Sequence, residues 1–234
     1  MPGRFLRRIN RFVAEVEIDG ERVEAHVPNS GRLTQLAVSG NPVLLGEVDS
    51  PVRKTRYDWI LARAPGGGWA LVDSRIPGRV FSGALAHRPP GEFAGYPSVA
   101  REVSRGGSRL DFLLEDDVGK RCWIEMKSVT LAYTLPWGVE ARFPDAPTTR
   151  GRRHLRELVE ARRTGDRAAV VFAVGRPDAL SFGPNPAIDE AFSRALWEAS
   201  LAGVEIYAYG LECHPARGVR LARRIPVHLN GPEG

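Results

Sequence analysis

Apolar and polar residues alternate over 12–27, and this pattern is typical of strands that are buried on one face. Asp19-Gly20 interrupts the alternation, and an Asp-Gly dipeptide between two alternating runs indicates a type I′ hairpin turn. The register that this turn imposes pairs Val16 with Val23, so that inward-facing residues meet. The sequence therefore predicts a β-hairpin at this position.

Short strand patterns, separated by glycine and proline, follow as far as residue 74. They read PVLLGEV, RYDWILARA and WALVDS. Five or so short strands within about 75 residues, without a convincing helix, favour a small closed or half-closed barrel, and an oligonucleotide-binding (OB) barrel is the candidate. We predict an all-β domain over residues 1–80, with the boundary in SRIPGRV.

The pattern changes from residue 81 onward, where strand-like and helix-like stretches alternate. The sequence predicts strands at 98–105, 109–115, 121–131 and 168–174, and helices at 148–163 and 188–203. The run AAVVFAV is apolar throughout, which is typical of a strand buried on both faces. We predict a mixed-sheet α/β domain over residues 81–234, with helices on the faces of the sheet.

The composition is that of an ordinary soluble globular protein, with 43% hydrophobic and 26% charged residues. The chain shows no secretory signal and no apolar run near about 18 residues, so we expect a cytoplasmic protein that does not associate with membranes. Cys122 and Cys213 lack a CxxC or Cys/His pattern, and we expect two small buried residues rather than a disulfide or zinc site. The sequence leaves the oligomeric state open, with a homodimer as one possibility.

Basic charge is concentrated in one segment. The formal net charge is +5, and residues 148–163 hold six arginines against two glutamates. This distribution permits nucleic-acid binding, and the start of a helix there offers free N–H groups to phosphate. Arg150, Arg152 and Arg153 are candidate phosphate contacts. His154 is either a phosphate contact or general acid, or a solvated residue.

The stretch RLDFLLEDDVGKRCWIEMKSVTL carries charges where core strands would carry Val or Ile. A hairpin centred on Val118 places Asp111 directly across from Glu125. Lys127 shares the face of Glu125, because side chains two apart in a strand point the same way. Opposed carboxylates destabilise a strand pair unless a cation lies between them, and Mg²⁺ is typically held by one or two carboxylates.

These residues allow two interpretations. Two acids for a metal, one lysine and a phosphate-binding helix suit metal-assisted hydrolysis of a phosphodiester. Alternatively, Asp111 pairs with Arg109 or Arg121 and Glu125 pairs with Lys127, which gives a solvated strand face without chemistry.

Four motifs, in this order, resemble the sugar fermentation stimulation protein A (SfsA) family. They are HVPNSGRL (26–33), SRLDFLL (108–114), WIEMKSVTL (123–131) and FPDAPTTRGRRHLREL (143–158). The resemblance implies an OB-like N-terminal domain and a second domain of the PD-(D/E)xK nuclease-like fold. It also implies an association with DNA binding and with regulation of sugar catabolism genes.

The resemblance assigns roles to individual residues. Asp111 and Glu125 match the two acids of the nuclease-like pattern and Lys127 matches its lysine, and Glu102 matches an upstream acid that would be a third metal ligand. The metal expected is Mg²⁺ or Mn²⁺. Further candidate nucleic-acid contacts outside the basic helix are His26, Asn29, Arg32 and Arg109.

Two functions follow as expectations, and the sequence leaves open whether the protein is an enzyme. The first is a DNA-binding protein with a divalent-metal-dependent nuclease-type active site that cleaves phosphodiesters. The alternative is a non-catalytic DNA-binding regulator of sugar catabolism genes that retains a vestigial metal site.

Overall fold

The computed structural model describes residues 1–229, and its first half is a closed barrel. Its strands are β1 (Pro2–Asn10), β2 (Val13–Ile18), β3 (Glu21–His26), β4 (Pro42–Glu47), β5 (Tyr57–Arg63) and β6 (Trp69–Leu71). They lie in the order β3-β2-β1-β4-β5-β6, and a parallel pairing of β3 with β5 closes the barrel.

The predicted hairpin is formed by β2 and β3, and its register is confirmed. Val16 lies opposite Val23. Asp19 and Gly20 at the turn both have positive φ, 50° and 86°, as the two central residues of a type I′ turn must. The alternation of β2 therefore places its apolar residues in the barrel core, where Phe5 stacks on Trp59 with ring centroids 5.0 Å apart.

The second half of the chain alternates helices and strands. It contains α1 (Ile76–His87), a 3-10 turn (Gly91–Phe93), β7 (Ser98–Arg105), β8 (Ser108–Glu115), β9 (Arg121–Val129), β10 (Leu131–Leu135), β11 (Gly138–Phe143), α2 (Thr149–Arg163), β12 (Arg167–Val174), β13 (Ser181–Pro184), α3 (Pro186–Leu201), β14 (Glu205–His214) and β15 (Gly218–Ile225). The predicted fold class, a small all-β barrel followed by a mixed-sheet α/β domain, is confirmed.

A six-stranded sheet is the centre of this domain. Its order is β15-β14-β12-β9-β8-β7; β9, β12 and β14 run parallel, and the outer pairs are antiparallel. Helices α2 and α3 pack on one face and α1 on the other, so β12 is buried on both faces and its uninterrupted apolar run is explained. A small sheet, β10-β11-β13, lies beside it and was not predicted from the sequence.

Helix α1 belongs to the packing of the second half. It begins at Ile76, before the predicted boundary at residue 80, and its Phe81 packs edge-on against Phe93 and Phe112. Between β6 and α1, the Leu71 N–H donates to the carbonyl of Gly175 at 2.9 Å. The barrel and the α/β sheet therefore share backbone and apolar contacts on either side of a very short connection.

Two further expectations concern cysteines and membranes. Cys122 and Cys213 are free thiols; Cys122 is buried and Cys213 is partly buried. Within residues 1–229, none of the helices has the length and apolar character needed to cross a membrane.

Candidate metal and nucleic-acid site

The hairpin that carries the predicted acids has the predicted register. Four pairs run from Glu115 opposite Arg121 to Phe112 opposite Ile124. The ladder ends there, one pair short of Asp111. Instead of a backbone pair, the carboxylate of Asp111 accepts a hydrogen bond from the N–H of Met126 at 2.6 Å. The two strands therefore separate at the level where the sequence places its acids.

Strand β9 continues beyond its pairing with β8 and is paired with β12 on its other side from Cys122 to Val129. Trp123 of β9 packs with Leu155 of α2. Because side chains two apart in a strand share a face, Glu125 and Lys127 also point toward α2. Glu125 is only 3% exposed, so the strand pattern alone places a carboxylate under a helix.

Three polar groups surround the Glu125 carboxylate. Its Oε1 accepts hydrogen bonds from Lys127 Nζ at 2.6 Å and from Nδ1 of His154. Its Oε2 is buried and has no hydrogen-bond partner within the part of the chain that the structure describes. Burial alone would raise the pKa of Glu125, but the His154 bond and the Lys127 charge outweigh it, so the pKa is lowered.

His154 is held by a second donor. The Nε of Arg150 donates to His154 Nε2 at 3.2 Å. A guanidinium donates and cannot accept, so Nε2 is the acceptor nitrogen and the ring proton lies on Nδ1, from which it is donated to Glu125. Arg150, His154 and Glu125 thus form a chain in which each group orients the next.

The burial of His154 corrects the prediction that it contacts nucleic acid. The side chain is 2% exposed, because it lies on the core side of α2 between Glu125 and the helix. The sequence predicted the basic helix but did not predict that His154 lies on its buried face. Histidine is usually solvated, and here it interrupts the apolar stripe of α2.

Asp111 lies beside this group, and its surroundings disfavour the charged form of its carboxylate. Burial, and then the negative charge of Glu125, raise its pKa to about 6, although the Met126 N–H and Lys127 act in the opposite direction. The pKa of one acid is therefore raised by the charge of the other. The hairpin register predicted from the sequence had placed these two residues opposite each other.

Glu102, the predicted third ligand, lies close enough to Asp111 for its negative charge to contribute to the raised pKa of Asp111. It forms an ion pair with Arg109 at 2.8 Å and its side chain is 49% exposed. Among residues 1–229, no group of three or more His, Cys, Asp or Glu side chains is placed to hold one ion. The structure thus brings Asp111, Glu125 and Lys127 together, and Glu102 lines one concavity with Asp111 while its carboxylate is paired with Arg109.

A cleft of ≈ 400 Å³ opens at Asp111, between β7–β9 and the first turn of α1. Met126 and Ser128 of β9 line it together with Asp111, and the neighbouring Glu125 and Lys127 side chains are 5% and 13% exposed. The basic residues that line this cleft are Arg75, Arg79 and Arg101. In an arginine-rich chain these positions carry no distinguishing pattern, and the sequence did not identify them.

The candidates in the barrel are used internally. His26 Nδ1 lies 3.0 Å from Asp58 Oδ1. Asn29 donates to the carbonyl of Val72 at 2.8 Å and accepts from the N–H of Gly31 at 2.8 Å. These bonds shape the turn after β3, and His26 and Asn29 are partly exposed there, so their contact with nucleic acid stays a prediction.

Arg32 remains exposed at this turn, where it lines a small cavity of ≈ 70 Å³ together with Asp145. The Asp145 carboxylate lies against Gly31, in the space that a Cβ at that position would occupy. Two of the four family motifs, HVPNSGRL and FPDAPTTRGRRHLREL, therefore contact each other here. This contact assigns a structural role to Asp145.

The arginines of α2 divide into two groups. Arg152 is bound to the buried Asp189 at 3.1 Å, and Arg150 is bound to His154. Arg153 and Arg156 are exposed and have no acidic partner within residues 1–229. The second group has its whole guanidinium free to meet a phosphate, and the exposed Arg150 has the two terminal nitrogens that do not contact His154.

The comparisons with known proteins cover both halves. The family model described as "Sugar fermentation stimulation protein RE domain" matches residues 75–217, and the one described as "SfsA N-terminal OB domain" matches residues 6–72.

Two curated relatives and one solved structure illustrate the similarity. The sugar fermentation stimulation protein homolog of Moorella thermoacetica is 46% identical over 211 residues, covering 90% of this chain and 88% of its own. That of Geobacter metallireducens is 41% identical over 231 residues, covering 97% of each. The structure of Pyrococcus furiosus SfsA in complex with Ca²⁺ matches with 33% identity and a TM-score of 0.88, over 97% of this chain and 95% of the other.

Proposed function

Because the chain belongs to the sugar fermentation stimulation protein A (SfsA) family, we propose that its α/β domain binds a divalent cation at Asp111 and Glu125 and cleaves phosphodiesters in DNA. The observation that carries this proposal is the buried Oε2 of Glu125, which has no hydrogen-bond partner within residues 1–229. An unsatisfied buried carboxylate oxygen is costly, and a cation would satisfy it.

The donor set suits Mg²⁺ or Mn²⁺. Both acids offer hard carboxylate oxygens, and Mg²⁺ is typically bound through one or two carboxylates together with water and substrate phosphate. Burial, and then the negative charge of Glu125, raise the pKa of Asp111, and a cation bound by both carboxylates would act in the opposite direction. The Ca²⁺ in the Pyrococcus furiosus relative is a cation of the same hard class.

A bound Mg²⁺ or Mn²⁺ would polarise the phosphate and lower the pKa of coordinated water. The protein's own residues prepare the site for this chemistry. His154 fixes the Glu125 carboxylate so that Oε2 stays free, and the Met126 N–H fixes Asp111. Lys127 holds its ammonium beside Glu125, where it would stabilise charge that develops on a phosphate or orient an attacking water.

DNA binding is supported by charge. The chain has a net charge of +5, and three arginines line the cleft at Asp111. Phosphates that enter the cleft would meet Arg79 and Arg101, which have no acidic partner within residues 1–229. These cations would offset the repulsion between Asp111 and the DNA backbone.

A second function is favoured by one observation. Among residues 1–229 no group of three or more His, Cys, Asp or Glu side chains is placed to hold one ion, and the ammonium of Lys127 is already bound to Glu125 at 2.6 Å. A non-catalytic DNA-binding regulator of sugar catabolism genes that retains the metal site would show the same arrangement.

The test is cleavage of supercoiled plasmid, single-stranded DNA and RNA with Mg²⁺ or Mn²⁺. We expect wild type to cut DNA, and Asp111→Ala, Glu125→Ala and Lys127→Ala to cut at least about 100-fold more slowly, because each removes a group at the reacting centre. Asp117→Ala, an exposed acid in the turn of the same hairpin, is the matched control. Metal-dependent DNA binding without cutting would select the regulator, and equal cutting by all variants would reject the site.

Binding by α2 is tested separately with Arg153 and Arg152. Arg153 is free, so Arg153→Ala should flatten the dependence of log K on log salt by about 0.9, the effect of one lost phosphate contact. Arg152 is neutralised by Asp189, so its substitution should leave the slope unchanged. Equal slopes for wild type and Arg153→Ala would exclude α2 from the DNA interface.

A further inference from the structure

A second groove, of ≈ 620 Å³, runs along the other side of α1 and is bounded by β14 and β15. The α1 residues that line it are spaced three and four apart, so they form one face of the helix. They are Arg79, Val80, Gly83, Ala84 and His87. Since Gly83 and Ala84 are small, the groove is deep along the middle of the helix.

The charged residues that line this groove are mainly basic. Its charged residues are Arg79, Arg88, Arg220, Arg224 and Glu92, with His87 beside them. Arg224 is paired with Glu92 at 2.7 Å and Arg220 is paired with Glu212. Arg79 and Arg88 have no acidic partner within residues 1–229. The groove therefore presents uncompensated positive charge at both ends of α1.

The fold does not explain why α1 has a glycine, Gly83, in its interior. Gly83 lies in the helix interior, where glycine is the poorest residue after proline. Its φ is not positive, and no atom lies within 4 Å of the position that a Cβ would take. The same holds for Gly78 in the cleft at Asp111 and for Gly91 in the groove. Neither backbone conformation nor internal packing requires these glycines, which leaves close approach of another molecule.

Arg79 connects the two concavities, because it lines both the cleft at Asp111 and the groove. We propose that the groove along α1 holds the phosphate backbone of the nucleic acid beyond the point where a phosphodiester meets Asp111. This inference rests on the proposed function and adds the path of the strand. Arg79 and Arg88 lie nine residues apart, about 13 Å along a helix, which corresponds to about four rises of a B-form strand.

The test uses a short fluorescein-labelled duplex in Ca²⁺, with affinity measured over a series of salt concentrations. Arg88→Ala should weaken binding and flatten the salt slope by about 0.9. Arg194→Ala removes an exposed arginine from α3, far along the sequence and outside both concavities, and should bind like wild type.

The glycine supplies a readout that a structural role would not give. Gly83→Ala and Gly83→Gln should both raise Tm, because each residue is a better helix former than glycine. Affinity for the duplex should nevertheless fall, and it should fall further for Gln than for Ala, because the larger side chain fills the groove. A purely structural glycine would give a lower Tm, or a higher Tm with unchanged affinity.

The outcomes separate this inference from the function on which it rests. If wild type neither binds nor cuts DNA, both are rejected. If wild type binds and cuts, while Arg88→Ala and Gly83→Gln match Arg194→Ala in affinity and salt slope, the groove is not the path of the strand and the proposed function stands.

Discussion

Asp58 in the barrel and Glu125 in the α/β sheet are two buried carboxylates, 5% and 3% exposed. Each accepts a hydrogen bond from a histidine, His26 or His154, and each pairs with further cations. In the barrel, Asp58 Oδ1 also accepts from Arg53 at 2.5 Å and Oδ2 accepts from Arg75 at 2.6 Å. Both oxygens of Asp58 are therefore satisfied.

In the sheet, both donors of Glu125 converge on Oε1 and leave Oε2 without a partner in the described chain. The neighbouring Asp111 has a raised pKa, whereas hydrogen bonds from Arg53, Arg75 and His26 outweigh burial and hold the pKa of Asp58 below its ordinary value of 3.8. Burial and ion pairing are thus common to a structural cluster and a candidate site. The difference lies in whether every oxygen has a donor.

The largest effect is expected in the barrel. Asp58→Ala leaves Arg53 and Arg75 without their shared partner, and we expect the free energy of unfolding to fall by about 3 kcal/mol, as when a buried ion pair loses one member. Urea denaturation measures it. Asp117→Ala, at an exposed acid, should change the same quantity by less than about 0.5 kcal/mol. A loss for Asp58→Ala that is as small as the loss for Asp117→Ala would show that the Asp58 cluster does not stabilise the fold.

A smaller effect is expected from the histidine of the second cluster. His154→Ala removes the group that fixes Glu125, and we expect the Kd for Mn²⁺ to rise by about 10- to 100-fold, as for other residues that orient metal ligands. Titration calorimetry measures it, with His26→Ala as the matched barrel histidine. If Mn²⁺ affinity is unchanged in a folded His154→Ala protein, the chain from Arg150 to Glu125 does not serve a metal.

The smallest effect is a pH dependence of opposite sign in the two clusters. The raised pKa of Asp111, about 6, means that the folded protein keeps a proton that the unfolded chain loses between about pH 4 and pH 6. Its contribution to stability therefore falls as the pH rises through that window. The lowered pKa of Asp58 stabilises the fold above its ordinary value of 3.8 and is lost as the pH falls.

Chelator-treated protein should show the Asp111 contribution as a difference between variants. Relative to wild type, Asp111→Asn should gain about 1 to 2 kcal/mol between about pH 4 and about pH 7, a value reduced for partial exposure. Urea denaturation at several pH values measures it. A difference that does not vary with pH would mean that the pKa of Asp111 is not raised in the folded protein.

The sequence predicted those parts of the fold that depend on local pattern. The β2–β3 hairpin follows from Asp19-Gly20 and alternation, and the β8–β9 register follows from the turn around Val118. The small sheet β10-β11-β13 depends on a parallel pairing of β11 with β13 across helix α2, which is a long-range contact. Strand β1 carries arginines between its apolar residues, so its alternation is obscured.

The candidate site was predicted for residues that share a strand pair, whereas the contact of His154 with Glu125 and the place of Arg79 in the cleft were not predicted. Asp111, Glu125 and Lys127 lie on β8 and β9, where register relates them directly. The place of His154 depends on how α2 rotates over the sheet, and that of Arg79 depends on the packing of α1 on the opposite face. The periodicity within one helix does not predict how that helix is oriented on the sheet, so neither position could be predicted.

The contact between the two halves has a consequence for how the chain can be divided. Leu61 and Leu71 of the barrel form one apolar cluster with Ala173 and Leu211 of the sheet, and Gly175 is closed over by Leu71. Separated after residue 73, each fragment would expose part of that cluster to water. The two fragments should therefore aggregate when made alone and reassemble when made together, so the barrel behaves as an inseparable half rather than as a portable module.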